Sequence, residues 1–439
     1  MMTVETKPLV QARSHIAMIW GLLGGLALIF WIEGINLAPK PEDPMAELAL
    51  QAPLPLATPR APSETELRAA TIAWTYFRNN IDAGTGLVAS VDGYPSTTLW
   101  ETGSLLTAIV SAERLGLIQP EEAKARLTRV VDSLSRLRLT MAGLPNKAYD
   151  IRSLDMVNYQ NKKTETGIGW SALDMGRLLS GLAAARRAHP ELAGPIQDLL
   201  ARWDMARLAK GGELNGGNIK NGVLSEHQEG RVGYEQYAAK AMMAFTLDAT
   251  SAVEIAGHVT LRDAGGVAVP GDTRLNKNAV PAMTTSEPYL LDGLEFGFDA
   301  RSHLFGSQVY RAQENRFAQT GVLTAVTEGH INAKPYFAYA TVWGGGQAFA
   351  VLTMDGQRVD SKRVISTKAA FGWDALFDTE YTDRLVEAVG RLNDPARGWM
   401  EGMYEVDGSP NSSITANTNA MILAAIAFRQ GGPLTAGAR

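Results

Sequence analysis

The chain carries carboxylates, hydroxyls and amides in quantity, but no cysteine and only six histidines. That removes thiol nucleophiles, disulfides, thiolate zinc sites and iron–sulfur clusters together. The histidines (15, 189, 227, 258, 303 and 330) form no HxxxH-type pair, so no metal site and no cofactor is expected. No Walker-type loop is present to cradle phosphates. Bond-breaking chemistry would therefore fall to paired carboxylates, one protonated and one not, as in cleavage of a glycosidic bond. Glu229 and Glu235, six apart in QEGRVGYEQY, are the first candidates for the proton donor. Glu287, Glu295 and Asp174 are candidates for a base or a sugar-binding group.

Each candidate also has a structural reading. Glu235 and Glu287 at helix starts would complement the helix dipole, worth about 0.3–1 kcal/mol. Glu295 lies between apolar Leu294 and Phe296, and a buried carboxylate needs a partner; Arg231 or Lys368 would serve. Asp174 precedes Arg177 by three residues, a spacing that permits an intrahelical ion pair. Around these carboxylates stand residues suited to binding sugars: Trp100, Glu101, Tyr149, Asp150, Trp170, Arg231, Tyr234, Tyr289, Lys368, Trp373, Asn417 and Asn419. The tryptophans read equally as core, and Asn417 and Asn419 as helix N-caps.

Most of these residues sit where apolar helices begin. The stretches 170–185, 234–247 and 417–428 are small and apolar nearly all round, and so must be enclosed by protein. Others, 121–137 and 381–392, are amphipathic with charged outer faces. In the first, Leu127, Val130, Val131, Leu134 and Leu137 face inward. Alternation of the two kinds suits a double ring, outer helices around an inner barrel. Parallel inner helices would bring all the polar starts to one end. A layered helical stack would explain the pattern nearly as well. Between about 303 and 366 aromatic and β-branched residues flank Gly344-Gly345-Gly346, which predicts a β-hairpin excursion. The fold class expected is all-α.

Ahead of the body lie a polar tail (1–15), an uncharged apolar run within 16–38, and a linker (39–62) holding seven of the 20 prolines. The run reads as a single transmembrane anchor with its N-terminus in the cytoplasm, given Lys7 and Arg13 before it and Glu33, Glu42 and Asp43 near its far end. A cleaved signal peptide is the alternative, with Asn36-Leu37-Ala38 as the cleavage site. Either places the body (63–439) outside the cytoplasm: in the periplasm on a bacterial inner membrane, or secreted. Proline fixes φ and offers no amide proton, so 39–62 predicts an extended tether. It ends at Ser63-Glu64-Thr65-Glu66, a capping box.

The 439 residues are 46% hydrophobic, enough for a packed core, and 41 basic against 46 acidic residues leave a net charge of −5. Without a basic run, nucleic acid is not an expected partner.

The phrases YDIRSLDMVNYQN, TGIGWSALDMGRLL, EGRVGYEQYAA, TTSEPYLLDGLEFGFD, STKAAFGWDALF and GWMEGMYEVDGSPNSSITANTNAMIL resemble a bacterial domain family of unknown function, DUF3131. The resemblance spans about Ala69 to Gly432. That family is similar to the glucoamylase-like (α/α)6 toroids, which include β-1,2-glucanases and related transglycosylases. It implies a periplasmic or secreted glycan-processing fold associated with polysaccharide synthesis. The resulting expectation is a glycoside hydrolase or transglycosylase acting on a β-glucan-like exopolysaccharide beside a synthase or export complex. A non-catalytic glycan-binding scaffold is the second reading. A polysaccharide lyase with Tyr234 as base ranks last, because it would need a basic cleft.

Overall fold

The computed structural model describes Leu48 and residues 51–254, 257–275 and 282–435. The anchor read at 16–38 lies outside the described residues. Among the described residues no helix is long and apolar enough to cross a membrane. The chain divides into Met1–Gln51 and Ala52–Arg439, and everything that follows concerns the second unit.

Its helices, in chain order, are α1 (Glu64–Asn80), α2 (Leu99–Arg114), α3 (Pro120–Arg136), α4 (Ala172–Ala188), α5 (Ala193–Ala201), α6 (Tyr234–Met243), α7 (Thr250–Glu254), α8 (Glu287–Leu291), α9 (Ala300–Thr320), α10 (Thr367–Phe377), α11 (Glu380–Val389) and α12 (Ala416–Gly431). The even-numbered helices form a closed inner ring. Each packs on the next, and α12 returns to α2. The odd-numbered helices lie outside: α1 against α12 and α2, α3 against α2, α5 against α4, α7 against α6, α9 against α8 and α11 against α10.

Burial follows the sequence pattern. In α2 thirteen of sixteen residues are buried, whereas α3 buries one stripe containing Leu127, Val130, Val131 and Leu134. The capping box forms at the start of α1. The Ser63 amide donates to Glu66 Oε2 at 2.7 Å, and the Glu66 amide donates to Ser63 Oγ at 3.2 Å.

Glycines set the direction of the inner ring. Gly103 in α2 lies against the backbone of Arg177 and Leu178 in α4, and Gly181 lies against Gly103 and Leu106. Gly176 lies against Ala238 of α6. Register advances the same way along α2 and α4, and Arg186, ten residues after Gly176, donates to the carbonyl of Ala244, six residues after Ala238, at 3.2 Å, so α2, α4 and α6 run parallel. A Cβ added at Gly103 would sit 2.4 Å from the Arg177 carbonyl oxygen. Gly103→Ala should therefore cost about 1–3 kcal/mol, read as a lower thermal midpoint, because two backbones would have to separate.

The expectation of an all-α body is corrected by the connections. The segments feeding the inner helices pair with themselves. They form a hairpin of Glu213–Lys220 with Val223–Gln228, another of Val259–Asp263 with Ala268–Asp272, and a sheet of Val364–Ser366, Gly398–Tyr404 and Pro410–Ile414. The β excursion placed at 303–366 starts later. Its first eighteen residues belong to α9, and the sheet is Glu328–His330, Phe337–Ala340 and Val351–Leu352. The proline-rich linker also differs from a free tether over its described part. The amides of Leu54, Ala57 and Arg60 donate to Ser307 Oγ, the Leu376 carbonyl and the Arg429 carbonyl at 2.9, 2.8 and 2.8 Å. Extended backbone without a strand partner satisfies its donors on the helices it runs past.

Candidate active site

The starts of the inner helices meet at one end of the ring. The Asn417 amide of α12 donates to Glu287 Oε1 of α8 at 2.6 Å, and the Lys368 ammonium of α10 pairs with Glu287 Oε2. Ser104 of α2 lies 3.4 Å from Asn417 Oδ1. Deeper on the axis, Arg177 of α4 pairs with Glu295 and donates to Tyr237 of α6 at 3.0 Å and to Thr107 of α2 at 3.2 Å. The Tyr237 and Ser180 hydroxyls donate to Glu295 Oε2 at 2.7 and 2.5 Å. Arg177 Nε also donates to Ser104 Oγ at 3.3 Å, so one buried polar network ties all six inner helices to the π turn Asp292–Phe296 that carries Glu295.

Three of the predicted carboxylates are consumed in such pairs. Glu287 and Glu295 are buried against Lys368 and Arg177, the latter a partner the sequence reading assigned to Asp174. Glu235 pairs with Arg274, which also holds Asp272, and accepts from Gln228 Nε2 at 2.9 Å. Burial pushes the Glu235 carboxyl above its usual range although Arg274 opposes it. The side chain is 1% exposed. Placing Glu235 first as proton donor is corrected here: its oxygens face an arginine and an amide, which leaves no open side for a sugar.

Asp174 stands differently. It forms no ion pair with Arg177, because that guanidinium turns to the axis and Glu295. The Asp174 backbone amide is capped by Ser171 Oγ at 3.1 Å, and its side chain is half-buried. Burial, then the charges of Glu229 and Glu101, raise its carboxyl to about 7, with Lys147 opposing. Glu229 is held against the start of α4, accepting from Ser171 Oγ at 2.9 Å and from the Ala172 amide at 2.5 Å. Glu101 is buried and accepts from the Ser90 and Thr98 hydroxyls. One protonatable carboxyl beside two fixed carboxylates is the arrangement general acid catalysis needs.

Glu328 lacked any sequence signal beyond being the lone acid in the run Gly321–Ile331. Buried, it accepts from the Thr327 hydroxyl at 3.0 Å, and desolvation raises it to about 7 against the pull of Lys368. With Glu401, Ser366 and Asn411 it lines a small pocket with a cavity volume of about 10 Å3, room for about one water molecule. Tyr339 links the two acids: the charges of Glu328 and Asp174 both act on its hydroxyl, and burial, the larger cause, helps push it up to about 12.

The residues predicted to bind sugar divide by exposure. Trp100 and Tyr234 are half-buried and meet edge to face at 5.5 Å. Asn417, Asp150 and Arg231 are also half-buried; Asp150 closes a turn on Arg152, and Arg231 donates to Gln228 and to the Leu275 carbonyl. Trp170 and Trp373 are wholly buried, Trp170 donating to the Asn215 carbonyl at 3.0 Å, so neither is a platform. Tyr149, Tyr289 and Lys368 are likewise buried. Asn419 bridges Trp399 and the Thr415 carbonyl, and the cap of α12 is Thr415, not Asn417 or Asn419. Among the described residues one acidic cluster could hold a metal ion, Asp374, Asp378 and Asp383, but Arg429 pairs with the first two.

If Asp174 must be protonated to act, activity falls as pH rises through about 7. Glu229→Gln removes a nearby negative charge, which lowers the pKa of Asp174. The basic limb of the kcat/KM profile should then move to lower pH; an unmoved limb would place Glu229 outside the electrostatics of the acid.

No curated protein matches the chain. Solved structures share its fold. An endo-β-1,2-glucanase from Chitinophaga pinensis, in complex with sophorotriose and glucose, is 13% identical with a TM-score of 0.62, covering 84% of this chain and 93% of its own. A glucoamylase-like protein from Bacteroides uniformis is 13% identical with a TM-score of 0.63, covering 86% and 94%. An endo-β-1,2-glucanase from Talaromyces funiculosus with sophorose is 14% identical with a TM-score of 0.58, covering 85% of each chain. At such identity the likeness concerns the helical toroid alone. The model of the family described as a protein of unknown function, DUF3131, matches residues 68–432. The chain belongs to the DUF3131 family.

Proposed function

We propose that the protein is a glycoside hydrolase or transglycosylase acting on a β-glucan-like polymer, with Asp174 as the general acid. What supports this is the cluster at the inner-helix starts, where the half-buried Asp174 carboxyl, raised to about 7, feels the charges of Glu229 and Glu101, both held in place by hydrogen bonds. Protonating the glycosidic oxygen requires a neutral acid at that position, and the carboxylate left behind can later take a proton from water or from an acceptor hydroxyl. Glu101, Glu229 or Glu328 would act as the opposing group. Glu287, Glu295, Lys368 and Arg177 hold the floor rigid beneath them. The six-plus-six arrangement of helices corresponds to an (α/α)6 toroid, and neighbours of that fold include enzymes named for β-1,2-glucan.

The apolar run at 16–38 would tether the body on the outer face of a bacterial inner membrane, within reach of an exported polymer and its synthase or export complex. The test is to incubate the intact protein with a panel of β-linked glucans that includes β-1,2-glucan and to separate the products chromatographically. Release of oligosaccharides, or of chains longer than the substrate, supports the reading. No product from any member of the panel removes it.

A further inference from the structure

The three-stranded sheet of Glu328–His330, Phe337–Ala340 and Val351–Leu352 is built inside out. Residues opposite one another across a strand pair, and residues two apart along a strand, share a face. Glu328 stands opposite Tyr339 and His330 opposite Phe337, so these four share one face. Ala338, Ala340 and Val351 share the other. The smaller side chains are the enclosed ones: Ala338 and Ala340 are 4% and 3% exposed, whereas His330, Phe337 and Tyr339 are only half-buried. A sheet held by burial alone would turn its rings inward. The half-open rings are nonetheless ordered against one another. His330 meets Phe337 edge to face at 5.2 Å, and Phe337 meets Tyr339 in the same manner at 5.3 Å. Leu352, opposite Tyr339, closes one edge of the face by lying against Gly345.

This face runs into the starts of the inner helices. Ser286 and Ser366 immediately precede α8 and α10. The Ser286 hydroxyl donates to the Val326 carbonyl at 2.7 Å, and the Ser366 amide donates to the Ala325 carbonyl at 2.8 Å. Glu328 follows two residues later and shares its small cavity with Glu401, which accepts from Thr415, the cap of α12. Among the described residues no group hydrogen-bonds the Tyr339 hydroxyl, and that oxygen is not sealed from solvent. A tyrosine hydroxyl at a half-buried position normally finds a partner. A free phenol opposite a carboxyl, with apolar rings beside it, is complementary to a sugar. The sugar's hydroxyls meet the polar groups, and its C–H face meets the aromatic surface.

We propose that this sheet face is a subsite for a sugar ring of the glucan next to Glu328, with Phe337 packing on the C–H face of the sugar and the Tyr339 hydroxyl bonding one of its hydroxyls. This rests on the hydrolase reading, and binding separates the two. In the intact protein carrying Asp174→Asn, binding of each member of the β-glucan panel is measured by calorimetry. Adding Tyr339→Phe should weaken binding of the preferred glucan about fivefold relative to this parent. Phe337→Tyr should bind within about twofold. Phe337→Leu should bind about threefold to tenfold more weakly, because leucine keeps the apolar volume and loses the flat face. Thermal unfolding checks that each variant is folded, and Tyr339→Phe, which removes a single oxygen, carries the test if a Phe337 variant unfolds. Parent-like affinity in either Tyr339→Phe or Phe337→Leu would overturn the subsite, as would a parent that binds no member of the panel. Binding that depends on both residues, in a protein whose wild type releases no product, would keep the subsite and remove the hydrolase. Product release with KM unchanged by both substitutions would do the reverse.

Discussion

Asp174→Asn should lower kcat by about 10²–10⁴-fold, the usual contribution of a positioned general acid, with KM little changed. Asparagine has nearly the same shape, so the α4 cap from Ser171 and the contacts of Glu229 to Ser171 and Ala172 survive. The residue makes no ion pair whose loss would unfold the site, and burial together with Glu229 and Glu101 already works against its charged form. Stability should therefore hold or rise. The neutral variant cannot give up a proton to a glycosidic oxygen at any pH, so the basic limb near pH 7 should vanish along with the rate. Products formed at the wild-type rate would mean that another group supplies the proton. Glu328, with its carboxyl also raised to about 7, would be the next residue to replace.

Glu295→Ala should act on the fold rather than on chemistry. It would leave the Arg177 guanidinium, 1% exposed, without its counter-ion in the middle of the ring. Removing one partner of a buried pair costs about 3–5 kcal/mol, because the other charge stays desolvated. The Tyr237 and Ser180 hydroxyls would lose their acceptor as well, so the upper part of that range is expected. Urea unfolding is the measurement. Double replacement with Arg177→Met should recover part of the loss, since an apolar side chain then fills the arginine's space with no charge left to desolvate. A Glu295→Ala protein as stable as wild type would show that the axial network does not hold the ring together.

How far the sequence could be read depended on whether a feature was local. The capping box at Ser63, the inward stripe of α3 and the all-round apolar character of α4 and α12 are set by spacing along one helix, and each formed where expected. The hairpin at 213–228 was local too and was passed over. Asn221-Gly222 at its tip, both with positive φ, is a strong signal for a two-residue turn between strands. Polar pairing was not local. Arg177 is three residues from Asp174 on α4, yet it pairs with Glu295, 118 residues away on the π turn, because the side chain of residue 177 faces the axis. The choice among Glu229, Glu235, Glu287, Glu295 and Asp174 turned on which cations the closed ring delivers to each carboxyl. Arg274, Arg177 and Lys368 reach three of them, and Asp174 receives none as a direct partner. Glu328 carries no local signal because its raised carboxyl comes from burial where its short strand pairs with Phe337–Ala340, opposite Tyr339, and spacing along the chain does not reveal that burial.

Titrating the Asp174 carboxyl directly, by difference infrared spectroscopy of wild type against Asp174→Asn, reaches the root of this account. A protonated carboxyl that persists to a midpoint near pH 7 is the predicted result. A midpoint in the ordinary aspartate range, about 4, would contradict it, for the ring would then hold no acid able to protonate a leaving sugar at neutrality.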